Sequence, residues 1–194
     1  MTFEFYFDLA SPYAYLGLMR LPALTLPRGC AIDYRPVDVE EVKRAAGNIG
    51  PALRDLPVKK RYVLQDAARW ARRYGVPFTE PSGWDATRLN RGTFLAIDRG
   101  VAPRYVATAA RHVWGLGGDP ASETVITAIA GEMGWNPQDL LSYTLSPPAM
   151  QRQRETLAAA RAAAVFGVPT SVVNGQLWWG NDRLTLVQEA LSHG

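Results

Sequence analysis

Phe3, Phe5 and Phe7 alternate with Glu4 and Tyr6, which is the period-two pattern of a strand. Residues 2–8 therefore predict a β-strand. Tyr13, Leu16 and Met19 then recur at helical spacing and predict a helix over 13–24, and 31–37 reads as a second strand. The middle of the chain is helical. Residues 58–74 set Val63, Ala67, Trp70, Ala71 and Tyr74 on one stripe, with Arg69, Arg72 and Arg73 elsewhere on the surface. Further helices are predicted over 87–99, 103–115 and 121–133. Asn136-Pro137 opens one over 137–145 and Ser146-Pro147 another over 147–165, each joining a capping side chain to a proline at the first helical position.

The last thirty or so residues change character. Two short β runs, 169–173 and 176–179, flank Asn174-Gly175. An Asn-Gly pair between apolar runs signals a tight hairpin, because both residues accept positive φ. A final helix begins near Asp182, with Leu184, Val187 and Leu191 on one face. The order is β-α-β, a helical block, then β-β-α. That order predicts an α/β fold with a thioredoxin-like sheet and an all-helical insertion. Residues 1–40 and 164–194 form a discontinuous thioredoxin-like domain, and 41–163 a helical insertion domain.

Ser11-Pro12 stands where the first strand turns into the first helix. A serine N-cap followed by proline aims unpaired backbone N–H groups and the positive end of the helix dipole at whatever lies beside the serine. An anion such as a thiolate is stabilised there. In thioredoxin-like proteins a reactive cysteine occupies this position. This chain has one cysteine, Cys30, before the second strand, so a dithiol redox pair is excluded and any thiol must arrive with a ligand. Ser11 also reads as a helix cap alone, and Cys30 as a small packing residue.

The formal net charge is +3, with arginines interspersed among acids. No block of like charge forms a nucleic-acid footprint, and a small anionic substrate suits the balance better than a polyanion. No apolar run reaches membrane-spanning length. Glu4 and Asp8 interrupt the N-terminal segment, so no signal peptide is read and a cytoplasmic protein is expected. His112 and His193 have no ligand spacing, so no metal is expected.

FYFDLASPYAYLG at the start, VFGVPTSVVNGQLWWGNDRL at the end and VKRAAGNIGPALRDLPVKKRYVLQDAARWARRYGVPF between them together resemble the 2-hydroxychromene-2-carboxylate isomerases. More broadly they resemble the kappa-class glutathione transferases with their DsbA-like fold. The resemblance covers nearly the whole chain. It implies an isomerase of aromatic hydrocarbon catabolism that uses glutathione as cofactor, acts on a small aromatic keto acid and forms a homodimer. Ser11 would hold the glutathione sulfur as thiolate. Val168-Pro169 would be a cis peptide that turns the Val168 backbone toward glutathione. Trp179, Gly180, Asn181 and Asp182 would hold its γ-glutamyl end, with Gly180 admitting the ligand, Asn181 and Asp182 capping the last helix and Asp182 taking the amino group. Lys43, Asn48, Leu53, Arg54 and Trp84 match the second-substrate side, with Lys43 and Arg54 for a carboxylate and Trp84 over a ring. Two departures stand out: the isomerase pattern has asparagine at Leu53 and tyrosine at Trp84. The rival readings are a kappa-like transferase that conjugates electrophiles and a non-catalytic glutathione- or peptide-binding module.

Overall fold

The computed structural model describes residues 2–193. Strands β1 (Phe3–Phe7), β2 (Ile32–Pro36), β3 (Thr170–Val173) and β4 (Gln176–Trp179) form one sheet in the order β2-β1-β3-β4. β1 runs parallel to β2 and antiparallel to β3, and β3 pairs antiparallel with β4. The hairpin forms on Asn174 (φ 49) and Gly175 (φ 81), as the Asn-Gly pair predicts. The helices are α1 (Pro12–Arg20), α2 (Val39–Ala45), α3 (Pro57–Tyr74), α4 (Thr87–Asp98), α5 (Ala102–Ala110), α6 (Glu123–Met133), α7 (Pro137–Thr144), α8 (Pro147–Ala162) and α9 (Leu184–His193). None of the described helices is long and apolar enough to cross a membrane.

Both faces of β1 are covered. Phe3, Phe5 and Phe7 enter the main core with Leu16, Trp114, Ile126 and Val187, so that core runs from the sheet into the helical block. Tyr6 points the other way and packs with Val42, Ala160, Val165 and Val172 under α2 and α8. Burial on both faces explains why a nominally polar position, Tyr6, is 1% exposed. Its hydroxyl keeps a partner by donating to Glu4 at 2.9 Å.

Several boundaries differ from the sequence pattern, each for a local reason. α1 ends at Arg20 and continues as a 3-10 turn over Leu21–Ala23. Pro22 in that turn has no N–H to continue an α-helical ladder. α8 stops at Ala162, where Ala164 takes a positive φ of 56°. The helix expected over 103–115 is α-helical only to Ala110, and Arg111–Gly115 is π-helical. Helix α2 was not predicted. It spans seven residues and buries only Val42, so no periodicity shows. Its signals are Asp38, which caps Glu40 and Glu41, and the Lys43-Arg44 pair in its last turn.

The π-helical stretch delivers Trp114 to the end of β1. Trp114 is fully buried, and its indole Nε1–H donates to the Leu9 carbonyl at 2.9 Å. Its ring stacks on Phe78 at 5.6 Å and meets the edge of Trp84 at 5.5 Å. Replacing Trp114 by Phe should leave the Leu9 carbonyl unpaired and cost about 1–3 kcal/mol. Replacing it by Ala should cost about 3–5 kcal/mol, because a large cavity is added. Urea unfolding of the two variants checks both values, and a Phe variant as stable as the parent would show that the indole bond contributes nothing.

Candidate functional site

The loop between β1 and α1 places Ser11 at the N-cap of α1, with φ −94° and ψ 123°. Its Oγ accepts the Ala14 N–H at 3.2 Å. A hydroxyl that accepts one bond still has a proton to donate. No acidic residue occupies the first turn of α1 itself, where a negative charge would compete for the positive end of the dipole. The helix lies close on the sheet: a Cβ on Gly17 would stand 2.9 Å from the Phe5 ring and 3.5 Å from Pro169. The Val168–Pro169 peptide is cis, as the resemblance implies.

Ser11 opens into a cavity of about 1050 Å³. Tyr13, Gly167, Val168 and Trp179 line it together with Ser11. Lys43, Arg44, Asn48, Leu53, Arg54, Lys59 and Trp84 line the same cavity. The five residues expected on the second-substrate side are therefore brought together, on the same cavity as Ser11. Lys43 is half-buried and pairs with Glu40 at 3.0 Å within α2. Leu53 and Arg54 sit on a 3-10 turn, Leu53–Asp55. Trp84 carries the Lys60 ammonium 5.4 Å from its ring centroid, and Lys60 also pairs with Glu80 at 2.6 Å.

The segment after β4 differs from expectation. Pro169, Gly180, Asn181 and Asp182 are not among the residues that line this cavity. Asn181 is buried, and its amide donates to the Tyr74 hydroxyl at 3.2 Å. The N-cap of the following 3-10 turn is Gly180, with no side-chain cap bond, so Asn181 and Asp182 do not cap the last helix as the sequence suggested. Gly180 is required by its own backbone. Its φ is 113°, and a Cβ there would lie 2.5 Å from Asp182 Oδ1. Asp182 is exposed and stands 3.6 Å from Arg183, yet its field reaches the Tyr13 phenol.

Sequence reasoning missed several residues at the cavity. Tyr13 follows Pro12 directly, and its hydroxyl donates to Asp66 at 2.9 Å. Burial and the Asp66 carboxylate raise the Tyr13 phenol, so it stays protonated at neutral pH. Phe166 meets Trp179 edge-on at 5.2 Å, and both are exposed at the rim. Asp8 and Asn90 are the buried polar pair of the cavity wall. Asn90 gave no signal because it sits on a helix 82 positions away from Asp8. Burial pushes the Asp8 carboxyl from 3.8 up to about 6, against hydrogen bonds from Ala10, Asn90 and Val39 that pull it down. A carboxyl raised in this way favours the folded state below pH 4, and that advantage is lost as pH rises through 6.

One side of the cavity thus offers a hydroxyl and a helix N-terminus to an anion. Elsewhere its wall offers lysines, arginines and an indole ring to an anionic, planar molecule. A match to the DSBA-like thioredoxin domain covers residues 2–192. The chain is 36% identical over 190 residues to the 2-hydroxychromene-2-carboxylate isomerase of Sphingobium xenophagum, covering 98% of this chain and 97% of that protein. It is 27% identical to glutathione S-transferase kappa 1 of Homo sapiens, over 98% of this chain and 90% of the relative. The solved structure of a 2-hydroxychromene-2-carboxylate isomerase superposes with a TM-score of 0.92 at 37% identity, covering 99% of this chain and 95% of that one. The chain belongs to the DSBA-like thioredoxin family, and within it to the 2-hydroxychromene-2-carboxylate isomerases.

Proposed function

We propose that the protein is a glutathione-dependent isomerase that interconverts 2-hydroxychromene-2-carboxylate and trans-o-hydroxybenzylidenepyruvate. The observation that carries this reading is Ser11 at the N-cap of α1, opening into the cavity that Lys43, Arg54 and Trp84 also line. The curated isomerase relative supplies the reaction, and the kappa transferase relative supports glutathione as the thiol.

Bound glutathione supplies a thiol that adds reversibly to the conjugated alkene and so allows rotation about the former double bond. The chain's own groups do the rest. The Ser11 hydroxyl donates to the sulfur, and the N-terminus of α1 adds a favourable dipole, so the thiol is held as thiolate. The backbone of Val168, next to the cis-proline, and the Trp179 side chain would flank the tripeptide, and the exposed Asp182 carboxylate, beyond the cavity lining, would take its amino group. Lys43 and Arg54 take the substrate carboxylate and stabilise negative charge as it moves into the keto acid. Trp84 covers the aromatic ring. Departures at Leu53 and Trp84 leave this side more apolar than the isomerase pattern, so the aromatic acid is held more by its carboxylate and ring than by neutral hydrogen bonds.

Glutathione should be needed only in catalytic amounts. With trace glutathione, the enzyme should turn over many equivalents of 2-hydroxychromene-2-carboxylate, followed by absorbance as the ring opens. One-for-one consumption of glutathione with a stable thioether would make the protein a transferase instead. Glutathione binding without substrate turnover would make it a binding module.

Lys43→Ala and Arg54→Ala should each raise KM for the aromatic acid roughly tenfold and leave glutathione affinity nearly unchanged, because a contact to substrate alone is removed. Steady-state kinetics with either ligand varied checks this. Loss of glutathione affinity with the aromatic KM intact would put these residues on the other side of the site.

A further inference from the structure

Asp8 is the buried acid at the cavity that the mechanism above leaves without a role. It lies three residues before Ser11 and is 4% exposed. Its Oδ1 accepts the Ala10 N–H at 2.9 Å and the Asn90 side-chain amide at 2.8 Å. Its Oδ2 accepts the Val39 N–H at 2.9 Å. These donors come from different parts of the chain. Ala10 belongs to the loop that presents Ser11, Asn90 to α4, and Val39 opens α2, the helix that carries Lys43. Asn90 ties the same segments from behind: it accepts the Leu9 N–H at 3.1 Å and donates to the Val37 carbonyl at 3.3 Å.

All of the groups aimed at Asp8 are donors. An ionised carboxylate satisfies them together, since it accepts at both oxygens. A protonated carboxyl turns one oxygen into a donor and leaves it a poorer acceptor for the N–H it faces. The charge is held in a buried place that resists it, on the wall of the cavity that Ser11 opens into. We propose that Asp8 is a positioning residue for the isomerisation: its carboxylate clamps the Ser11 loop to the Lys43 helix, so that sulfur and substrate are held at a fixed separation. This inference rests on the functional reading above.

Other charged groups bear on the clamp. Asp38, at the N-cap of α2, opposes ionisation of Asp8. Glu40 and Lys43 on α2 and Asp85 before α4 line the same cavity, as does Tyr13 of α1, while α4 itself presents the neutral Asn90. The Glu40–Lys43 pair is internally compensated.

Amide spectra of the free enzyme from pH 4.5 to 8 test the clamp without any substrate. The Ala10 and Val39 resonances should shift together, with one midpoint near 6. The kcat for isomerisation should have an acid limb at that midpoint. In Asp8→Asn both amide titrations should vanish, and kcat should fall roughly tenfold to a hundredfold without that limb. Asn90→Ala removes a donor to the ionised form, so the amide midpoint and the limb should both move up by roughly one unit. A purely structural Asp8 would leave the limb unmoved in both variants, and that result overturns the inference. So do Ala10 and Val39 amides that titrate with different midpoints or not at all. Wild-type enzyme that fails to turn over with glutathione present sinks the isomerase reading and the inference with it. Failure of the inference alone leaves wild-type turnover intact.

Discussion

The turn from β1 into α1 is the joint on which the rest of the site depends. Its main-chain polar groups are buried, and each must find a partner inside the protein. Leu9 is held from both ends, its N–H by Asn90 and its carbonyl by the Trp114 indole. The Ser11 N–H returns to the Asp8 carbonyl at 2.9 Å, and the Ala10 N–H goes to the Asp8 side chain. A strand end, the π-helical stretch and α4 therefore converge on four residues. Ser11 owes its place at the helix N-terminus to this convergence more than to its own capping bond.

The two sides of the cavity are built differently. Around Ser11 the support is buried and short-range, from Gly17 on Phe5 and Pro169 to Trp114 under Leu9. Around Lys43, Asn48 and Arg54 the chain is short-helical or irregular, and most side chains are exposed. Fixed geometry suits a group that must tune a thiol's proton, because a charge-assisted bond is sensitive to distance and angle. An open, cationic side suits a small acid that enters and leaves at every turnover. Asp8 stands between these two regimes, accepting a bond from each.

Local signals in the sequence survive into the structure where a few neighbouring residues decide the geometry. Ser11, Asn136 and Ser146 cap their helices as the serine- and asparagine-proline pairs predict. Asn174-Gly175 turns the hairpin. What was not legible depends on partners far along the chain. Asn181 looks like a cap but is claimed by Tyr74, 107 positions earlier. Asp8 looks like the polar end of a strand, and only α4, folded back on it, makes it a buried clamp. Trp114 reads as one more apolar helical position until the extra residue in its turn aims it at Leu9. Helix α2 escapes because two turns with one buried residue make no stripe.

In the proposed function, Ser11 and the N-terminus of α1 make a thiolate of a thiol that the chain itself does not carry. Thiolate absorbance near 240 nm, followed against pH with glutathione bound, tests it most directly. Bound glutathione should ionise at least one unit below an unperturbed thiol at about 8.5, and Ser11→Ala should move this midpoint back toward the free value. Bound glutathione that ionises like the free tripeptide, or an unchanged midpoint in Ser11→Ala, would rule out a thiolate held by Ser11.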